Sequence, residues 1–373
     1  MKREDNNVKA FFALLRAGLW NKEVQLASHG EIDYAAILKL AEEQSVVGLI
    51  SAGMEHIIDS KPAKKDVLQF IGQTLQIEEQ NKAMNYFIGV LVDKMKDAGI
   101  FTLLVKGQGI AQCYEKPLWR SCGDVDFFLD AENYEKAKEF LIPLSSFIEP
   151  EGEASMHFGL TIDPWVVELH GTLRCGLSTR MDKVIDAIQA DTFNNHKVRI
   201  WEDGETKVPL PRVDNDVIFV FTHFLKHFYK GGLGLRQICD WCRLLWVYRH
   251  EIDSSLLETR LRTMRLLSEW KAFAAYAVIN LGMPVEAMPL YPDGGKWIRK
   301  ANRIQSFLLE VGNFGHNRDM SYYSKYPFVL RKAISLGRRI GDICRHVLIF
   351  PVDSMRFFPG IVLNGLRSAA NGE

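Results

Sequence analysis

The stretch Val105-Lys106-Gly107-Gln108-Gly109, followed by Arg120-Ser121-Cys122-Gly123-Asp124-Val125-Asp126-Phe127-Phe128-Leu129, decides how this chain is read. The glycine turn follows an apolar run, Phe101-Thr102-Leu103-Leu104-Val105, and two carboxylates two residues apart lie in a second apolar run. In a strand, alternate side chains share a face, so Asp124 and Asp126 are expected to project together while Val125 and Phe127 enter the core. Paired carboxylates repel unless a cation joins them, and hard Mg²⁺ or Mn²⁺ is the usual one. Backbone amides of the glycine turn can approach phosphate closely. A lone Asp-x-Asp triplet is often only a solvated strand end, so its neighbours must decide between the two.

Outward from this segment, the chain divides by periodicity. Residues 1–98 are expected to form an N-terminal helical region: Phe11, Leu14, Leu15 and Leu19 have helical spacing, and 65–98 reads as one long helix with room for a single break. Residues 99–212 alternate strand and helix. Strands are expected at 101–105, 124–129, 156–162 and 165–173, the last two paired around Asp163-Pro164, with helices at 107–114, 131–141 and 179–190 and a short hairpin over 197–210. Residues 213–373 turn helical, with helices at 217–228, 235–248, 256–281, 297–311 and 328–350. The fold class is therefore α+β: a small mixed sheet between an N-terminal helical layer and a C-terminal helical domain.

Composition bounds the function. In 373 residues, Lys plus Arg balances Asp plus Glu at 46 each, so no overall field draws in nucleic acid, and a small-molecule or protein acceptor fits better than a polynucleotide track. The start, Met1-Lys2-Arg3-Glu4-Asp5-Asn6-Asn7, lacks the apolar stretch of a secretory signal, and no uncharged run reaches the ~18–20 residues of a membrane span; a cytoplasmic location is expected. The six cysteines are too sparse for a disulfide framework, and Cys239-Asp240-Trp241-Cys242 reads as buried free thiols. Arg331, Lys332, Arg338, Arg339, Arg345, Arg356 and Arg367 form a basic C-terminal stretch, read as a solvated face, with contact to anionic lipid or nucleic acid as the alternative.

Lys106-Gly107, Arg120, Gly123-Asp124-Val125-Asp126, Glu168-Leu169-His170, His223, Arg236 and Asp240 together resemble a bacterial family of uncharacterised nucleotidyltransferases within the DNA polymerase beta-like superfamily. The resemblance runs from about Phe101 to about Leu245. It implies a nucleotidyltransferase core that moves a nucleoside monophosphate from a triphosphate, ATP among the candidates, to an unidentified acceptor. It also implies two Mg²⁺ or Mn²⁺ ions held by three carboxylates. Two departures stand out: Gln108 occupies the place of the superfamily's phosphate-contacting serine, and the gap from Gly107 to Asp124 is long. Lys106 and the backbone amides would then take the serine's part.

Residue by residue, Asp124 and Asp126 supply two carboxylates. Glu168, the only acid in Trp165-Val166-Val167-Glu168-Leu169-His170, is the candidate third metal ligand and possible base, unless it is simply an edge-strand acid. Lys106, Gly107, Gln108, Gly109, Arg120 and Gly123 are the candidate nucleotide-binding positions, Arg120 as a bidentate fork and Lys106 as a compact charge. His170 shares the Glu168 face and is either an orienting group or a structural histidine. His223 and His227 lie one helical turn apart, but Phe224 stands where a zinc protease needs Glu. Arg236 and Asp240 are also one turn apart, and either pair with each other or support the site. The alternative function is a non-catalytic nucleotide-binding or scaffold protein that keeps the fold.

Overall fold

The computed structural model describes residues 6–149, 156–204, 206–230, 232–312 and 327–358. Four helices come first: α1 (Asn6–Trp20), α2 (Tyr34–Glu43), α3 (Val47–Met54) and α4 (Lys64–Asp97), the last unbroken over 34 residues. The middle of the chain runs β1 (Leu103–Val105), α5 (Gly107–Ala111), β2 (Val125–Phe128), α6 (Ala131–Leu141), β3 (Phe147–Ile148), β4 (His157–Ile162), β5 (Trp165–His170), α7 (Thr179–Asn194), β6 (Val198–Asp203) and β7 (Thr206–Pro211). Helices α8 (Val213–Lys230), α9 (Leu235–Val247), α10 (Ser254–Met264), α11 (Leu267–Leu281), α12 (Gly295–Val311) and α13 (Phe328–Ile349) follow.

The helix starts follow local chemistry. Asp130 accepts from the Asn133 amide to open α6, Ser178 accepts from Met181 to open α7, and Asp253 accepts from Ser255 and Leu256 to open α10. The single helix expected over 256–281 is instead two. Arg265 adopts a left-handed conformation (φ 58°), and that reversal lets Met264 and Leu266 on either side of it both enter the core.

Five strands form one mixed sheet in the order β1-β2-β5-β4-β3, in which only the β2–β5 pair is parallel; β6 and β7 make a separate hairpin. Strand alternation divides the sheet's two faces. Val125, Phe127, Phe158, Leu160, Val167 and Leu169 are buried against Met84, Ile88, Leu91 and Met95 of α4 and Tyr134, Ala137 and Leu141 of α6. The opposite face carries Asp126, Glu168, His157 and His170, and at its covered end Phe128 stacks edge-on against Phe193 of α7 and Phe219 of α8. Helix α8 thus lies across the polar face.

The first and last helical segments share one apolar core. Trp20 Nε1 donates to the Leu281 carbonyl at 2.6 Å, Arg243 reaches the Leu19 carbonyl at 3.0 Å, and Gln44 joins the Leu308 carbonyl to the Leu235 amide. Among the described basic C-terminal residues, Arg345 pairs with Glu310 and Arg356 with Asp353; the side chains of Arg331, Lys332 and Arg339, and Arg367 as a whole, lie outside the described residues. No described helix is long and apolar enough to cross a membrane. Cys239 and Cys242 are buried, and burial raises both thiols far above their ordinary range, so neither presents a thiolate.

Helices α1 and α3 touch backbone to backbone. A methyl on Gly18 would lie 1.9 Å from the Leu49 carbonyl oxygen, and one on Gly53 would lie 2.0 Å from that of Leu14. Gly53→Ala is expected to push the two helices apart and to lower stability by about 1–3 kcal/mol, read as a lower urea midpoint; an unchanged midpoint would show the helices free to separate at no cost.

Candidate active site

The site begins where β1 ends. Lys106 sits at φ 57°, ψ −144° and Gly107 at φ 37°, so the chain turns sharply out of the strand and into α5. A side chain leaving that turn comes back over the neighbouring strand: Lys106 Nζ donates to Asp126 Oδ1 at 2.6 Å. Register does the rest. In the parallel β2–β5 pair Asp126 stands directly beside Glu168, and Asp124 lies one residue before β2. One carboxylate oxygen from each of Asp124, Asp126 and Glu168 falls within a 4.8 Å span.

The next pair on the same face is His157 of β4 opposite His170 of β5. His157 Nε2 lies 3.1 Å from Glu168 Oε2; His170 Nε2 lies 2.7 Å from Asp126 Oδ1 and 3.4 Å from Glu168 Oε2. Across β4 from Glu168 is Gly159, over which the Glu149 carboxylate folds, so close that a methyl at 159 would lie 2.5 Å from its oxygen.

Crowded charges leave opposite marks on the three carboxylates. Asp126 and then burial raise the pKa of Asp124, with Glu168 adding to both. Burial alone would raise Asp126, but Lys106 and His170 outweigh it and hold the group ionised. Glu168 is held far below its ordinary value because hydrogen bonds from His157 and His170 overcome its burial. In return the Glu168 hydrogen bond raises His157. Three oxygen donors on one spot fit a hard divalent cation, which would relieve the repulsion that raises the pKa of Asp124.

Helix α8 adds bases above this cluster. His223, Lys226 and His227 follow Phe219 by one to two turns, and Lys226 is close enough to Lys106, Glu168 and Asp126 to feel their charge. Burial and then Lys106 hold Lys226 below the ordinary lysine value. His223 and His227 meet through their Nε2 atoms at 3.1 Å; burial keeps His223 well below its usual pKa and takes His227 down to about 4.

The structure brings Lys106, Asp124, Asp126, Glu168 and His170 together and leaves Gly107 and Gly123 beside them. Arg120 and Gln108 point elsewhere. Arg120 forms a bidentate pair with Asp240 (Nε to Oδ1 and Nη2 to Oδ2, both 2.8 Å), and Tyr114 donates to the same Oδ1. Asp240 therefore pairs with Arg120, not with Arg236 one turn away; Arg236 Nη1 instead holds the Ser121 carbonyl at 2.9 Å. Gln108 donates into α4, to Asn81, whose own amide holds the carbonyls of Leu118 and Arg120. Gly109 is packed against Leu210, where a larger residue would collide.

Sequence reasoning missed His157, Lys226 and Glu149. One signal for His157 was available: the two-residue turn at Asp163-Pro164 pairs Ile162 with Trp165, and counting back places His157 against His170. Lys226 carried no such signal, because its place depends on how α8 lies over the sheet.

The site thus combines a mixed sheet, a glycine turn, an acidic pair and a third carboxylate on the neighbouring parallel strand. The chain belongs to a family described as uncharacterised nucleotidyltransferases, whose model matches residues 30–282. No curated protein and no solved structure matches it.

Two measurements check this electrostatic picture. Asp240→Ala strands the buried Arg120 guanidinium and is expected to cost about 3–5 kcal/mol in urea unfolding; a loss under about 1 kcal/mol would mean that Arg120 finds another partner. By NMR, His227 is expected to titrate near 4 and His157 above the ordinary histidine value. Because the folded pKa of His227 is depressed, the unfolded chain takes up its proton first. Stability is thus intact above about 6.5 and is lost as pH falls from there toward 4, and His227→Asn should flatten that slope.

Proposed function

We propose that this chain transfers a nucleoside monophosphate from a nucleoside triphosphate to an acceptor hydroxyl in a reaction that depends on Mg²⁺ or Mn²⁺. The convergence of Asp124, Asp126 and Glu168 across the parallel β2–β5 pair carries this reading. Those three side chains would hold the divalent ions, which neutralise charge on the α-phosphate and the departing pyrophosphate. The acceptor oxygen bonds to the α-phosphorus, the bond to pyrophosphate breaks, and the acceptor's proton passes to Glu168 or to solvent water.

Glu168, held ionised by its hydrogen bonds from His157 and His170, would serve as a ligand and is the candidate to take that proton. Lys106, the amides around Gly107 and the open Gly123 lie beside this cluster and would receive the triphosphate, with Lys226 and His223 of α8 above it. Arg120 would act from behind: with Asp240, Tyr114 and Arg236 it fixes the loop that delivers Asp124. The balanced charge of the chain favours a small-molecule or protein acceptor over nucleic acid.

The second reading, a nucleotide-binding protein without turnover, draws on two observations: Gln108 is turned into α4, and the Arg120 guanidinium is engaged with Asp240. Incubation with each α-³²P-labelled triphosphate, Mg²⁺ or Mn²⁺ and a cell extract separates the two. Labelled product is expected from the wild type and is expected to fall by on the order of a hundredfold or more in Asp126→Ala. Undiminished labelling by Asp126→Ala sinks the carboxylate mechanism. Metal-dependent nucleotide binding without any labelled product selects the second reading.

A further inference from the structure

Beside the carboxylate trio, two imidazoles converge on one carboxylate oxygen. His157 and His170 are cross-strand partners with ring centroids 4.9 Å apart, and their Nε2 atoms lie 3.1 and 3.4 Å from Glu168 Oε2. All three ligand atoms fall within 4.8 Å of one another. Bonds of about 2.1 Å to a tetrahedral Zn²⁺ place neighbouring ligand atoms about 3.4 Å apart. The nitrogen-to-oxygen spacings already match that edge.

Donor chemistry separates this cluster from its neighbour. Asp124 and Asp126 offer only oxygen, which suits Mg²⁺ and Mn²⁺, whereas imidazole nitrogen favours later transition metals. His157 and Glu168 retain 38% and 24% of their side-chain exposure, so an ion can reach them from solvent. The sheet supplies rigidity, since both histidines and the glutamate project from the paired strands β4 and β5.

We propose that His157, His170 and Glu168 form a second metal site, selective for a divalent transition metal of the Zn²⁺ class and sharing Glu168 with the carboxylate trio. An ion held there draws Glu168 Oε2 and the His170 ring toward itself and away from Asp126. Only this competition for Glu168 rests on the proposed nucleotidyl transfer; the site itself stands on its own donor set.

Co²⁺ is the probe, because its visible absorption reports nitrogen ligation in a low-coordinate site. Untagged full-length protein titrated with Co²⁺ is expected to give a visible band saturating at one equivalent and removed by Zn²⁺. His157→Ala, a change at a partly exposed strand residue, should weaken Co²⁺ binding by on the order of a hundredfold. Asp124→Asn should keep the band, and so should His227→Ala, which removes the histidine pair on α8. Absence of the band in the wild type, its survival in His157→Ala, or its loss in His227→Ala would each overturn the assignment. Mn²⁺ binding, followed in parallel by electron paramagnetic resonance, reads the carboxylate trio separately. Its absence beside an intact Co²⁺ band would remove the nucleotidyl-transfer mechanism and leave this site standing.

Discussion

Three carboxylates within 4.8 Å of one another are the constraint around which the rest of this structure is arranged. Two like charges about 4 Å apart cost roughly 4 kcal/mol at the dielectric typical of a protein's outer layers, so such a trio persists only with compensation. The chain supplies it from three directions. Lys106 reaches back from the β1 turn, His157 and His170 stand on the adjoining strands, and Lys226 lies above on α8. Each answer depends on a different part of the fold, and the result is a cluster with a divided character. Asp126 and Glu168 are held ionised by their donors, while Asp124, at the open side, carries the remaining strain as a raised pKa.

Behind that front runs a second polar layer that holds the loop before β2. Asn81 on α4 binds the carbonyls of Leu118 and Arg120, Arg236 on α9 binds that of Ser121, and Arg120 itself is locked to Asp240 with Tyr114 alongside. The groups that aim Asp124 thus come from both the early and the late helices. Those helices also share a core, through Trp20, Gln44 and Arg243. Elements far apart in sequence therefore act on the site as one support, since that loop has only the 3₁₀ turn Pro117–Trp119 of its own and is held elsewhere through its backbone carbonyls.

Much of the fold was legible from local chemistry. Alternation in Val125-Asp126-Phe127 and in Val167-Glu168-Leu169 foretold which side chains would be buried and which would share the polar face. Helix α6 falls where its Asp130 cap and apolar spacing place it, and the long α4 follows from proline-free periodicity. The break at Arg265 was not legible: nothing in Met264-Arg265-Leu266 forbids a helix, and burying both flanking residues decides it.

By itself, then, the sequence determined the strands other than the two-residue β3, their faces and the residue types able to meet a metal or a phosphate, because strand and helix periodicities are local properties of the chain. Tertiary structure alone decided the partners. Asp240 could have paired with Arg236 on its own helix and pairs instead with Arg120 from a loop 120 residues away. Glu168 gained His157 through the β4–β5 register, and Lys226 came over the carboxylates through the packing of Phe219 on Phe128. A side chain's charge is written in its own residue, but which opposite charge lies within hydrogen-bonding reach is set by how the sheet and helices pack.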